Sequence, residues 1–377
     1  MSEGGFNGIH ETPKAAKQVA TPETAGAEKI PSYLEDPNDR QERESKALTE
    51  SVDVKIATLL GEGALEGLEG DALREKITEV TREILLDLVE VKYGSPENQD
   101  VKLAFHNREH SELVTARVER FIQITNTFQS GRISSEEKAN AILAAAGHDA
   151  EHVFERTEKG LRKRKTGDGE KRSAARITTV KEAANNALIK AGKEAVYTVD
   201  PDQDVEIINV TIPSFSLEEG VTQKLLTKET PLTTRYLALA DLADFGIDGS
   251  EKLLKSGRQL AIEDNSNIIE AIRLGTVGDN EEAYRLKLLG TMQIQPGFAE
   301  SRKRHFLDEL NGIEPEGLKA EIAKEFRYFE GEADELDKPF AQSIQFLNAE
   351  VARLETLPFD TLIAYLGVHE FLNKTVQ

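Results

Sequence analysis

Four of the seven histidines fall within 47 residues, as two pairs in the strings Phe105-His106-Asn107-Arg108-Glu109-His110 and Gly147-His148-Asp149-Ala150-Glu151-His152. Each pair is spaced i, i+4, which on a helix puts both imidazoles on one face. Two such helices facing each other line a pocket with nitrogen, and Asp149 adds a carboxylate. The natural occupant is a divalent ion: Zn, Fe, Mn or Co, and Mg where carboxylate and water dominate. A lone histidine is more often a hydrogen-bonded structural residue than a ligand, but two such pairs with an adjacent aspartate are harder to explain that way. The chain has no cysteine, which removes disulfides, thiolate metal sites, a cysteine nucleophile and iron-sulfur clusters together. A further carboxylate is needed to complete the coordination sphere. The best candidate is Asp241, in Ala238-Leu239-Ala240-Asp241-Leu242-Ala243-Asp244, because an acid in an apolar helix is costly unless paired or coordinated. Asp244, one turn later, reads as easily as a solvated residue.

The elements that must position these groups read as helices. Leu73, Ile77, Val80, Ile84, Leu88 and Val91 recur at three- and four-residue steps until Tyr93-Gly94-Ser95-Pro96 stops the run. Ser134 with Glu137 forms a capping box that opens a buried Ala-, Ile- and Leu-rich helix over 135–147. Thr233 to Phe245 is a further apolar helix, with Gly246 as its C′ residue. The β-like run Val205 to Ile212 is short and has no partner of similar quality, so the expected fold class is all-α. Phe340, Ile344, Leu347, Val351 and Leu354 fit either a core-facing helix, which is preferred, or a short coiled-coil seam of a homodimer. Residues 1–45 hold four of the twelve prolines and no apolar periodicity, and read as a disordered tail. The glycines from Gly61 to Gly67 superficially suggest a dinucleotide-binding turn. The third glycine comes one residue late and no strand precedes them, so they read as a loop between helices.

With 68 acidic against 47 basic residues the formal net charge is -21, which repels a phosphate backbone and disfavours nucleic acid as a partner. Against that average, Lys159, Arg162, Lys163, Arg164, Lys165, Lys171, Arg172 and Arg176 put eight basic residues into eighteen, opposed by Asp168 and Glu170. This segment reads as a mobile loop that attracts an anionic substrate to the site, as solvated surface or, behind both, as a contact for RNA or an acidic partner. No stretch approaches the ~20 apolar residues needed to cross a bilayer. The expectation is a soluble, cytoplasmic chain with no membrane partner.

A histidine, a His-Asp dipeptide and a distant aspartate, all on helices, resemble the signature of the HD superfamily of metal-dependent phosphohydrolases. Phe105-His106-Asn107 followed by His110 looks like the aromatic-His-Asn-x-x-His motif of the cyclic-nucleotide phosphodiesterase branch, and His148-Asp149-x-x-His152 looks like its second motif. The resemblance spans residues 100–300. It implies an HD-type helical bundle over 46–298, with 299–377 as a C-terminal helical segment packed on or extending it. It further implies that His110, His148, Asp149 and Asp241 hold a first metal ion, Asp149 bridging to a second. His152 would stand at the second metal's water shell, and His106 would be the general acid that protonates the leaving oxygen. Two ions would acidify a bridging water and neutralise charge on the phosphoryl oxygens, while an imidazole titrates near working pH. Gln295-Pro296-Gly297-Phe298 resembles the segment that clamps a nucleobase in that branch, with Gln295 on the base edge and Phe298 on its face. The bland alternative is a Pro-Gly turn before a buried phenylalanine.

After His152 the chain lacks the glycine and paired asparagines of the animal-type phosphodiesterases. It has no Gly-Tyr-Pro motif of the cyclic-dinucleotide subgroup, and no Glu-Asp after His-Asp as in alarmone hydrolases. The resemblance therefore implies a phosphoester hydrolase, foremost a phosphodiesterase for a cyclic or nucleotide-like substrate. The alternatives are a nucleoside-monophosphate phosphatase with the same metal site, and a degenerate HD module kept for protein interaction.

Overall fold

A computed structural model describes residues 37–94, 102–156, 162–216 and 218–373. The chain opens with α1 (Pro37–Gly61), α2 (Gly70–Val89) and a π-helical turn at Glu90–Gly94. Next come α3 (Arg108–Phe128), α4 (Ser135–Gly147), an antiparallel ribbon of β1 (Phe154–Arg156) with β2 (Arg162–Arg164), and α5 (Asp168–Lys190). After α6 (Pro201–Asn209), β3 (Ser214–Ser216) pairs with β4 (Gly220–Thr222), followed by α7 (Leu232–Asp241), α8 (Asp244–Asp248), α9 (Ser250–Asp264) and α10 (Ser266–Leu274). The remainder is α11 (Glu281–Gln293), α12 (Gln295–Glu309), α13 (Glu316–Glu325), α14 (Pro339–Glu355), α15 (Phe359–Leu366) and α16 (Val368–Asn373). The fold is all-α, and among the described residues the strands are two three-residue ribbons.

Contacts divide the chain into Met1–Glu44, described from Pro37 as the opening turns of α1, and Ser45–Gln377, which holds every other element. Residues 1–36 of the expected tail lie outside the described residues. Residues 37–45 of the expected tail belong to α1, and proline is compatible with its first position.

Two large apolar clusters and a small one of Val89, Tyr93, Leu103 and Ala150 organise Ser45–Gln377. The first joins Leu73, Ile77, Val118, Phe121, Leu143 and Tyr236 to Phe306, Leu318 and Phe326, so α12 and α13 share a core with α3 and α4. The second gathers Phe245, Leu253, Ile262, Leu288, Phe340, Leu347 and Leu362. On α14, Phe340, Ile344, Leu347 and Leu354 are buried there, while Val351 is half-buried outside the cluster, so the stripe apart from Val351 faces the core. Gly147 lets α4 approach α5: a Cβ there would stand 2.8 Å from Ile177 Cγ1.

Local signals explain most element boundaries. The capping box is present: Ser134 Oγ accepts from the Glu137 amide at 3.2 Å and the Ser134 amide donates to Glu137 Oε2 at 2.9 Å. The glycines from Gly63 to Gly67 lie in the α1–α2 loop. Two expectations fail. Val205–Ile212 is not a strand; Val205–Asn209 belong to α6, because the Asp200 carboxylate caps the Asp202 and Gln203 amides, Pro201 starts the helix, and Asp204, Ile207 and Ile208 form its buried face. Thr233–Phe245 is not one helix ended by Gly246. The helix stops at Asp241, where the Arg117 guanidinium takes the Ala240 carbonyl at 2.9 Å. Gly246 lies buried inside α8, and Gly249, at φ 87°, makes the turn into α9.

Candidate metal centre

Neither histidine pair lies on a single helix, contrary to expectation. Asn107 is the N-cap of α3, its side chain accepting from the His110 amide at 3.2 Å, so His106 stands in the bend before the helix and His110 in its first turn. His148 caps the C-terminus of α4, and the chain turns out of the helix with the Ala150 amide on the Gly147 carbonyl at 3.0 Å. The Tyr93 hydroxyl then accepts from the His152 amide at 2.7 Å. Between these residues Glu151 is locked by Lys92 Nζ at 2.5 Å and Arg176 Nε at 2.7 Å, all three buried. Convergence comes from capping and turn geometry instead of shared helix faces.

One ligand atom each from His110, His148 and Asp149 lies within 4.8 Å of the others, and all three residues are buried. This group can hold a metal ion. Asp149 Oδ2 is 3.1 Å from His148 Nε2 and 3.5 Å from His110 Nε2. Asp241 Oδ1, at the end of α7, lies 3.1 Å from His110 Nε2 and 3.5 Å from His148 Nε2. The other Asp149 oxygen, Oδ1, faces away from them, 3.6 Å from both His152 Nε2 and Arg164 Nη2. The carboxylate thus divides its oxygens between two sides of the site.

The donor set fits a cation. His148 Nδ1 bonds the Ala145 carbonyl at 2.8 Å, the outer contact that fixes a ligating imidazole with Nε2 aimed inward. His148 Nε2, Asp149 Oδ2 and both His152 nitrogens are buried without a hydrogen-bond partner among the described residues. Bare buried polar atoms are costly, and coordination of His148 Nε2 and Asp149 Oδ2 by one ion would remove that cost for those two atoms.

Charge follows the same pattern. Burial works against ionisation of Asp149 and Asp241, yet the histidines around them hold both well below the usual carboxylate range. Burial likewise opposes a charged His148, but Asp149 and Asp241 outweigh it and raise its pKa well above 6.5. His152 goes the other way: burial and the nearby Arg164 guanidinium push it far down, leaving a neutral imidazole.

His106 is held by a residue the sequence did not single out. Glu263, at the end of α9, meets His106 Nδ1 with Oε1 at 2.5 Å and accepts from the Phe105 and His106 amides with Oε2 at 3.0 and 3.2 Å. Burial raises the Glu263 pKa, but His106 beside it brings it down to about 2. Burial lowers the His106 pKa, and Glu263 and Asp149 more than restore it, to above 6.5. The available signal was an acid near a helix C-terminus, where the dipole disfavours it, with no cation one turn away in sequence.

Other expectations resolve differently. Asp244 is not solvated; it is buried, bonded to Arg117 Nη2 at 2.7 Å and to Ser256 Oγ. Gln295 and Phe298 stand on α12. Gln295 is buried, donates to the Thr291 carbonyl at 2.9 Å and lies against Gly257, while Phe298 packs on the second core. Pro296 and Gly297 sit in the first turn of α12 and make no separate turn. In its described part, 162–176, the basic segment is a strand and the start of a helix: Lys165 pairs with Asp168 at 2.5 Å and Arg176 with Glu151, whereas Arg164 reaches the site. Lys159 lies outside the described residues.

No helix among the described residues is long and apolar enough to cross a membrane. Comparison with protein-family models, curated proteins and solved structures finds no match to this chain.

Proposed function

We propose that the chain is a metal-dependent phosphohydrolase of the HD type, a phosphodiesterase for a cyclic or otherwise nucleotide-like phosphoester. The carrying observation is the buried set of His110 Nε2, His148 Nε2 and the Asp149 carboxylate, with Asp241 Oδ1 beside it. His110, His148, Asp149 and Asp241 would hold one divalent ion, and the outward Asp149 oxygen with His152 would face a second; Zn, Mn, Fe, Co and Mg suit the donor set. When bound, such ions supply an acidified water and neutralise phosphoryl charge.

The protein's own groups do the rest. Glu263, ionised and acceptor-only, requires the hydrogen of His106 on Nδ1 and aims Nε2 toward the site. His106 is the candidate general acid for the leaving oxygen. Lys92 and Arg176 fix Glu151, which holds the backbone between Asp149 and His152. The buried walls around Asp149 and His148 exclude bulk water, so charge interactions there act at low dielectric.

The reading is tested by assaying full-length protein on bis-p-nitrophenyl phosphate with Mn, Mg, Co or Zn, then on cyclic mononucleotides, nucleoside monophosphates and dinucleotides. Hydrolysis that vanishes in Asp149→Ala together with bound metal supports it. Equal turnover by Asp149→Ala would reject the site.

A further inference from the structure

Arg164 occupies the mouth of the metal centre. It ends β2, and the Lys165 amide that follows bonds the Val153 carbonyl at 2.7 Å, which sets the ribbon against the chain just beyond His152. Its guanidinium touches three groups: Nη1 donates to His106 Nε2 at 3.0 Å, and Nη2 lies 3.3 Å from Glu170 Oε1 and 3.6 Å from Asp149 Oδ1. Glu170 is itself fixed, its Oε2 accepting from the Gly167 amide at 2.6 Å. Side-chain exposure is 32% for Arg164, against 5% for Asp149 and 0% for His152. The arginine is therefore a partly exposed cation beside the buried donors.

We infer that Arg164 is the anion-docking residue of this site: its guanidinium binds the non-bridging oxygens of a phosphoryl group beside His106 and Asp149. The inference rests on the proposed hydrolase reading and deepens it. Asp149, Asp241, Glu263 and Glu170 surround the centre with carboxylates, so an anionic ester needs a protein cation as well as the ion. A guanidinium supplies it in a planar fork that matches two phosphoryl oxygens. The existing contacts are compatible with exchange, being one imidazole nitrogen and two carboxylate approaches at 3.3 and 3.6 Å, none of them bidentate. Transfer of the guanidinium to phosphate also releases His106 Nε2, which in the present arrangement accepts from Arg164, so that this nitrogen can take up a proton from solvent and pass it to the leaving oxygen. One movement docks the substrate and frees the imidazole nitrogen.

The test uses full-length protein as purified, with metal content measured, and inorganic phosphate as probe in calorimetric titration. Arg164→Gln is expected to weaken phosphate binding at least tenfold with unchanged metal content. Arg164→Lys, which keeps charge but not the fork, should fall between, and Lys165→Gln, whose lysine pairs with Asp168, should match wild type. On bis-p-nitrophenyl phosphate, Arg164→Gln should raise KM and lower kcat/KM by about two orders of magnitude, on the scale of a lost oriented charge contact. Phosphate binding that is the same in wild type and Arg164→Gln would overturn the inference even if the wild type hydrolyses the ester. Arg164-dependent phosphate binding without hydrolysis would uphold the anion site and reject the reaction.

Discussion

Glu263 grips His106 through both carboxylate oxygens, one on Nδ1 at 2.5 Å and the other on the Phe105 and His106 amides, across 157 residues of chain. Because an ionised carboxylate can only accept, the contact selects the imidazole tautomer as well as its orientation. Glu263→Gln keeps an acceptor and removes the charge. It should lower kcat by about tenfold to a hundredfold, the scale of other orienting partners, with KM little changed. Steady-state kinetics on a diester separate the two, and an unchanged kcat would count against an orienting role.

The same pair makes a signed prediction for stability against pH. Glu263 is depressed from 4.5 to about 2, so its contribution is present above about pH 4.5 and is lost as pH falls toward 2. His106 is raised above 6.5, so its contribution is present below 6.5 and is lost as pH rises through its folded value. The two overlap between pH 4.5 and 6.5. Thermal melts in chelator should therefore show the largest gap between wild type and Glu263→Gln near pH 5.5, about midway in that window, narrowing on either side. A gap that grew steadily toward pH 9 would contradict the ion pair.

How far the sequence foretold this site depends on whether a signal was local. The α2 periodicity and the Ser134–Glu137 box are complete within a few residues, and the candidate metal donors were visible because histidines are rare and clustered. What escaped was set by distant packing. Asn107 reads as part of a motif, yet as an N-cap it removes His106 from α3. Val205–Ile212 has strand-like composition, and the Asp200-Pro201 start overrides it. Glu263 and Arg164 become partners of His106 only when α9 and β2 fold against its loop, and no spacing rule encodes that.

Metal should stabilise the fold by mass action, since a site assembled from α3, α4 and α7 does not exist in the unfolded chain. At a hundredfold excess over Kd the gain is about 2.7 kcal/mol, visible as a rise in Tm. His148 is raised well above 6.5 when metal-free, so an ion must displace its proton. The rise with Mn or Zn should accordingly be larger at pH 8 than at pH 6, and absent in Asp149→Ala. A rise of equal size in that variant would place the ion elsewhere.

Arg117 links the site to its support. It holds the Ala240 carbonyl at 2.9 Å, Asp244 at 2.7 Å and Asp248, and is itself buried. Arg117→Met leaves Asp244 buried with Ser256 and should cost about 3–5 kcal/mol, measured by urea unfolding. Adding Asp244→Asn removes the orphaned charge and should recover part of that loss. Because Ala240 precedes Asp241, metal affinity should fall as well; a stability loss below about 1 kcal/mol, as for an ordinary surface change, would contradict this role.

The central claim is that His110, His148 and Asp149 hold a divalent ion. Elemental analysis of full-length protein, reconstituted with Mn or Zn and freed of excess, tests it most directly beside Asp149→Ala prepared in parallel. The account predicts bound ion in the wild type and its loss in the folded variant. Protein that retains no ion after reconstitution, or a variant that retains as much as wild type, would contradict it.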